Sequence, residues 1–144
     1  MEKYKIIIDT NLWISLLIGK RLSELRFLCN NESISVYICD ELKAEFLRIA
    51  SREKIRKYTT EERITHTLEL MEASCVLNSI TNKTISPYLR DAKDLYLLAL
   101  ADTVKADYIL TGDKDLLILH SHHKTKIVTY KEFETIINQP TKTA

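Results

Sequence analysis

Four acidic side chains fall at positions where a solvated carboxylate is not expected. Asp9 closes the apolar run Ile6-Ile7-Ile8, and Asp113 follows a second one, Tyr108-Ile109-Leu110. Glu45 and Asp94 fall at helical spacing on or beside apolar faces. Carboxylates that converge raise one another's pKa and cannot all ionise unsupported. A hard divalent cation is the natural support: magnesium takes oxygen ligands, keeps several waters and uses one or two carboxylates directly. An ion there could supply an attacking hydroxide and neutralise a phosphate in line with it. Each acid also has a plainer reading. Asp9 or Thr10 could simply cap a helix, Glu45 could pair with Arg48, and Asp91 and Asp94 suit the start of a helix. The weight lies in the set of four, which makes Thr10 the expected cap of the first helix and leaves Asp9 free to face a metal.

These residues need elements to hold them. Three consecutive isoleucines are too few for a helix face and suit a strand buried on both sides. In open α/β sheets, ligands bind beyond the carboxyl ends of the strands, where Asp9 stands. Residues 11–18 read as an apolar helix, and Ser23 as the N-cap of a second. Ile34, Val36 and Ile38 alternate with polar residues as a strand. Asp40 then N-caps a helix whose Leu42, Phe46, Ile49 and Ala50 make one stripe, with Glu45 beside Ile49 at its edge. Thr60 opens another helix, and Val76-Leu77 is a short strand candidate. Residues 78–87 form a polar loop ended by Pro87. Residues 95–101 are apolar nearly all round, with Asp94 on the line of Leu98 and Ala101. Thr111-Gly112-Asp113-Lys114-Asp115 repeats the opening pattern of apolar triplet and polar cluster. A helical turn over residues 116–119, a strand at Ile127-Val128 and a helix over Tyr130–Ile137 complete the chain. The expected fold is α/β, a three-layer sandwich with a short central parallel sheet flanked by helices. Residues 1–138 form one domain, and residues 139–144 a frayed tail.

Composition narrows the class. Among 144 residues, only 2 Gly and 2 Pro argue against linkers and turn-rich β architecture. No apolar run approaches the roughly 20 residues of a membrane span, and no signal peptide is read, so a cytoplasmic protein is expected. Cys29, Cys39 and Cys75 are odd in number without a C-x-x-C pair, which favours buried free thiols over disulfides or a zinc site. His120-Ser121-His122-His123 invites a zinc reading, yet no Cys or acid stands at a matching spacing, and the stretch reads as a surface connection. Net charge is +1, from 21 basic and 20 acidic residues.

Beyond these residue-level readings, four segments together resemble PIN-domain ribonucleases. They are Ile6-Ile7-Ile8-Asp9-Thr10-Asn11, Glu45 within Glu41-Leu42-Lys43-Ala44-Glu45-Phe46-Leu47, Arg90-Asp91-Ala92-Lys93-Asp94, and the run from Ala106 through Thr111-Gly112-Asp113-Lys114-Asp115 to Leu117. The last is the most specific, and the likeness is closest to the toxin branch of toxin–antitoxin systems. The resemblance implies a Mg2+- or Mn2+-dependent endoribonuclease, with Asp9, Glu45, Asp94 and Asp113 as the catalytic metal-holding acids. It implies that Thr10, Asn11 and Thr111 orient them, with Asp91 and Asp115 in support. Ala92 departs from the branch, which often has proline there. An RNA substrate, a cognate antitoxin and a homodimer are the implied partners. Without the four site acids, 21 basic residues face 16 acidic ones. Arg48, Arg52, Lys54, Arg56 and Lys57 follow Glu45 and are candidates for the phosphate backbone. The competing reading is a nucleic-acid- or partner-binding module with little or no nuclease activity. A phosphatase with an aspartyl nucleophile would want a second Asp where Asn11 stands.

Overall fold

The computed structural model describes residues 3–19, 21–80 and 92–138, the side chains of residues 22 and 92–94 excepted. Its first strand, β1 (Tyr4–Ile8), pairs in parallel with β2 (Ile34–Ile38) on one side and β4 (Tyr108–Leu110) on the other. Side chains along a strand point alternately to opposite faces, yet Ile6, Ile7 and Ile8 are all 0% exposed. Both faces of the sheet are therefore covered at its centre.

The full strand order is β3-β2-β1-β4-β6-β5, with β3 at Val76–Leu77, β5 at Ser121–His122 and β6 at Thr125–Val128. All neighbouring pairs are parallel except β5 with β6, so the sheet is mixed rather than wholly parallel. Strand β5 was not expected: two residues carry no readable alternation, and pairing with Lys126 and Thr125 defines it. The sheet is flanked by helices α1 (Thr10–Ile18), α2 (Leu22–Asn30), α3 (Asp40–Ala50), α4 (Glu53–Arg56), α5 (Glu61–Ser74), α6 (Ala92–Val104), α7 (Lys114–Leu117) and α8 (Tyr130–Ile137). The architecture is the expected α/β sandwich. No helix among the described residues is long and apolar enough to cross a membrane.

Local chemistry explains several helix starts. Thr60 caps α5 by accepting from the Arg63 amide, and Thr129 with Glu132 forms a capping box at α8. The stripe of α3 is buried as its spacing requires, through Leu42, Phe46, Ile49 and Ala50. Two expected caps are corrected. Ser23 lies inside α2, which starts after Arg21 with no side-chain cap. Asp40 is the first helical residue of α3, with buried Cys39 at the cap position, so its charge acts on the helix dipole instead. The three thiols are free, with Cys29 and Cys39 buried and Cys75 half-buried against Cys29. Most of the expected loop over residues 78–87, the expected cap Asp91, and the tail at 139–144 lie outside the described residues.

Candidate active site

The chain leaves β1 toward β2 and β3, then returns across β1 to form β4 on its other side. The strand order thus reverses between β1 and β4, and the carboxyl end of such a switch point is where α/β folds leave a crevice. Asp9 follows β1 there, and Thr111 follows β4 at the same level, because Ile8 is in register with Leu110. The Asp9 amide donates to the Leu110 carbonyl at 2.9 Å, and the Thr111 amide to that of Val128 at 3.0 Å.

Asp9 is fully buried. One carboxylate oxygen accepts the Thr111 hydroxyl at 2.7 Å, and the other accepts the Asn11 amide at a longer 3.4 Å. Asp9 is therefore the N-cap of α1, and Thr10 is its first residue. This corrects the expected division of labour, in which Thr10 would cap and leave Asp9 to face the site. Thr10 instead turns its hydroxyl to the Tyr96 phenol, 2.7 Å away on α6. Capping does not withdraw Asp9 from its neighbours, since the Thr111 hydroxyl that reaches it also accepts the Asp113 amide at 2.9 Å.

Asp113 repeats the arrangement. It N-caps α7 and accepts the Asp115 amide at 2.9 Å, as Asp9 accepts the amide two residues on. The repeated sequence pattern is thus a repeated strand–Asp–helix turn on neighbouring strands. Asn11 and Asp115 support these carboxylates through their backbone amides, and Thr111 through its hydroxyl.

Glu45 sits on α3 with its carboxylate 19% exposed, gripped in fork geometry by Arg48 at 2.5 and 3.1 Å. Tyr96 ties this residue to Asp9. Burial chiefly pushes the Tyr96 phenol up, the Thr10 hydrogen bond pulls it down, and the nearby Cys39, Asp9 and Glu45 raise it further, the last two through their carboxylate charges. Both carboxylates therefore bear on one half-buried phenol, which stays protonated. Tyr96 carried no sequence signal except a polar tip on an otherwise apolar helix. Asp94 lies on α6 two residues before Tyr96, its side chain outside the description. Asp91 is outside it altogether.

Among the described residues, Asp9, Glu45 and Asp113 do not by themselves bring ligand atoms within 4.8 Å of one another. Their donors are all carboxylate oxygens, the set that suits Mg2+ or Mn2+ and not the softer metals. The basic candidates divide. Arg48 is on α3, but that helix ends at Ala50, so Arg52, Lys54, Arg56 and Lys57 surround the separate turn α4 rather than continuing the helix. All five are exposed.

Two comparisons bear on kinship. A PIN domain family model matches residues 5–115, which span β1 through Asp115. An uncharacterized protein of Methanocaldococcus jannaschii is 33% identical over 143 residues, covering 91% of this chain and 90% of the relative. With the strand-end acids, the switch point and the α/β sandwich, these matches identify the chain as a member of the PIN-domain family.

Proposed function

We propose that the protein is a Mg2+- or Mn2+-dependent endoribonuclease, the toxin of a toxin–antitoxin system acting in the cytoplasm. PIN domains are generally metal-dependent nucleases, which supplies the reaction class. The observation that carries the reading for this chain is the coupling of Asp9 to the Asp113 turn through one threonine at the switch point. Asp9, Glu45, Asp94 and Asp113 would hold the ion, whose role when bound is to activate water and neutralise phosphate charge.

The chain's own residues do the rest. Thr111 and the Asn11 amide fix both oxygens of Asp9, and the Asp115 amide fixes Asp113. Arg48 holds Glu45 until a cation competes for it. α3 runs back from the carboxyl edge as far as Ala50, and Arg52 follows two residues beyond its end. An RNA strand reaching both the acids and Arg52, Lys54, Arg56 and Lys57 would therefore follow α3. A cognate antitoxin and a second copy of the chain are the protein partners. The edge strand β3 supports this, since it leaves Val76 43% and Leu77 54% exposed.

The test is RNA incubated with the protein and Mg2+ or Mn2+, beside Asp9→Asn. Cleavage that needs the metal and Asp9 supports the nuclease. Cleavage equal in both proteins, or indifferent to chelator, sinks it. RNA binding without cleavage would leave the binding module.

A further inference from the structure

A second cluster of ligating groups lies at the other end of the sheet. Asp102, near the end of α6, reaches the β5–β6 hairpin 20 residues later. One oxygen is 3.1 Å from Nε2 of His122 and the other 2.8 Å from Nδ1 of His123. The two imidazole rings lie 4.1 Å apart between centroids, tilted by 33°. Among the described residues, these are the three whose ligand atoms all fall within 4.8 Å of one another. The acid that the sequence seemed to lack for these histidines is supplied by a helix.

The spacing suits an ion. Bonds of about 2.0–2.1 Å in a tetrahedron separate ligand atoms by roughly 3.3 Å. The two Asp–His distances are close to that, and all three ligand atoms lie within 4.8 Å of one another. The hairpin backbone also presents the ligand in an unusual way. His123 occupies the tight turn between β5 and β6 with φ of 53°, a left-handed conformation most residues avoid. A glycine or asparagine would relieve that turn but remove the imidazole. Burial is graded across the set, with His122 at 14%, Asp102 at 26% and His123 at 71% exposure. Two ligands are thus held by the fold, while the third side remains open for water or a further ligand.

We infer that Asp102, His122 and His123 form a binding site for a zinc-class divalent ion, separate from the carboxylate site. Two imidazoles and one carboxylate select borderline metals such as Zn2+ or Co2+ and disfavour Mg2+. Separation follows from register. His122 pairs with Thr125 at the start of β6, whereas Asp9 lies beyond the end of β1. That is four residue levels along parallel strands, or roughly 13 Å. The ion would staple the last turn of α6 to the hairpin.

The experiment is calorimetry with Zn2+ and visible absorption with Co2+ on the full chain. Its reference is the double variant Asp9→Asn/Asp113→Asn, which disables the other site. One equivalent should bind in this background, with the d–d bands of a nitrogen- and oxygen-ligated tetrahedral ion. Adding Asp102→Asn or His123→Asn should weaken binding by at least about tenfold. His123→Asn keeps a residue tolerated at positive φ, so it decides the matter if Asp102→Asn does not fold. Zn2+ should also raise the thermal midpoint in the reference and not in the added variants. Binding unmoved by these substitutions, binding lost already in the reference, or no binding below millimolar Zn2+ would overturn the site and leave a hydrogen-bonded trio only.

Discussion

The Thr111 hydroxyl donates to the buried Asp9 carboxylate at 2.7 Å, joining residues 102 positions apart in the chain. The same hydroxyl oxygen accepts the Asp113 amide. One small side chain thereby sets the position of one strand-end acid and the turn that carries the other.

Thr111→Val keeps the shape of this side chain and removes both hydrogen bonds. The expected cost is about 1.5–3 kcal/mol, the range for a hydrogen bond to a charged group. Urea unfolding should show the midpoint fall with an unchanged slope, and Mn2+ affinity should fall with it. Thr111→Ser should restore both.

Asp9→Asn separates the two duties of Asp9. Asparagine is as good an N-cap as aspartate. Stability should therefore stay within about 1 kcal/mol of the parent while metal-dependent cleavage disappears. A large loss of stability with cleavage intact would make Asp9 a cap and nothing more.

Arg48→Met tests whether Glu45 has a second partner. An exposed ion pair contributes less than about 1 kcal/mol, so thermal unfolding should barely move. Mg2+ or Mn2+ titration should show severalfold tighter binding, because the cation no longer displaces a guanidinium. Affinity unchanged by the substitution would leave Glu45 as the partner of Arg48 alone.

Cys39 predicts the alkaline limit of the fold. Burial pushes its thiol from 9.0 up to about 12. The unfolded chain then releases this proton around pH 9 while the folded chain keeps it. Stability falls as pH rises between those values, by up to about 1.4 kcal/mol per unit. Denaturation at about pH 8 and about pH 10.5 should show a steeper loss for the parent than for Cys39→Ala. Parallel losses would contradict the burial of this thiol.

The strands and the α3 stripe were legible because burial imposes a period that local sequence must obey. Ile6, Ile7 and Ile8 suit a strand covered on both faces, and Leu42, Phe46, Ile49 and Ala50 one side of a helix, and all are buried so. Neighbourhood was harder to read. That β1 adjoins β4 depends on the crossover after β3, and no residue of either strand encodes it. The roles of Thr10 and Asp9 were exchanged because the deciding partner, Tyr96, lies 86 positions away. The same holds for Asp102, which gives His122 and His123 an acid from a different element. Ser23 and Asp40 were misplaced by one or two residues, since α2 and α3 start without any side-chain cap.

The central place of β1 has a consequence for how the molecule is made. Synthesis delivers this strand about a hundred residues before its partner β4, so the acidic pair cannot assemble until β4 has been made. Pairings so distant in sequence also slow folding. Meanwhile Ile6-Ile7-Ile8 is a bare β-prone segment of the kind that recruits other chains. Lys3 and Lys5 before it and Asp9 after it are charges flanking that segment. In the nascent chain they act as gatekeepers against aggregation, so Asp9 has work to do long before it meets Thr111.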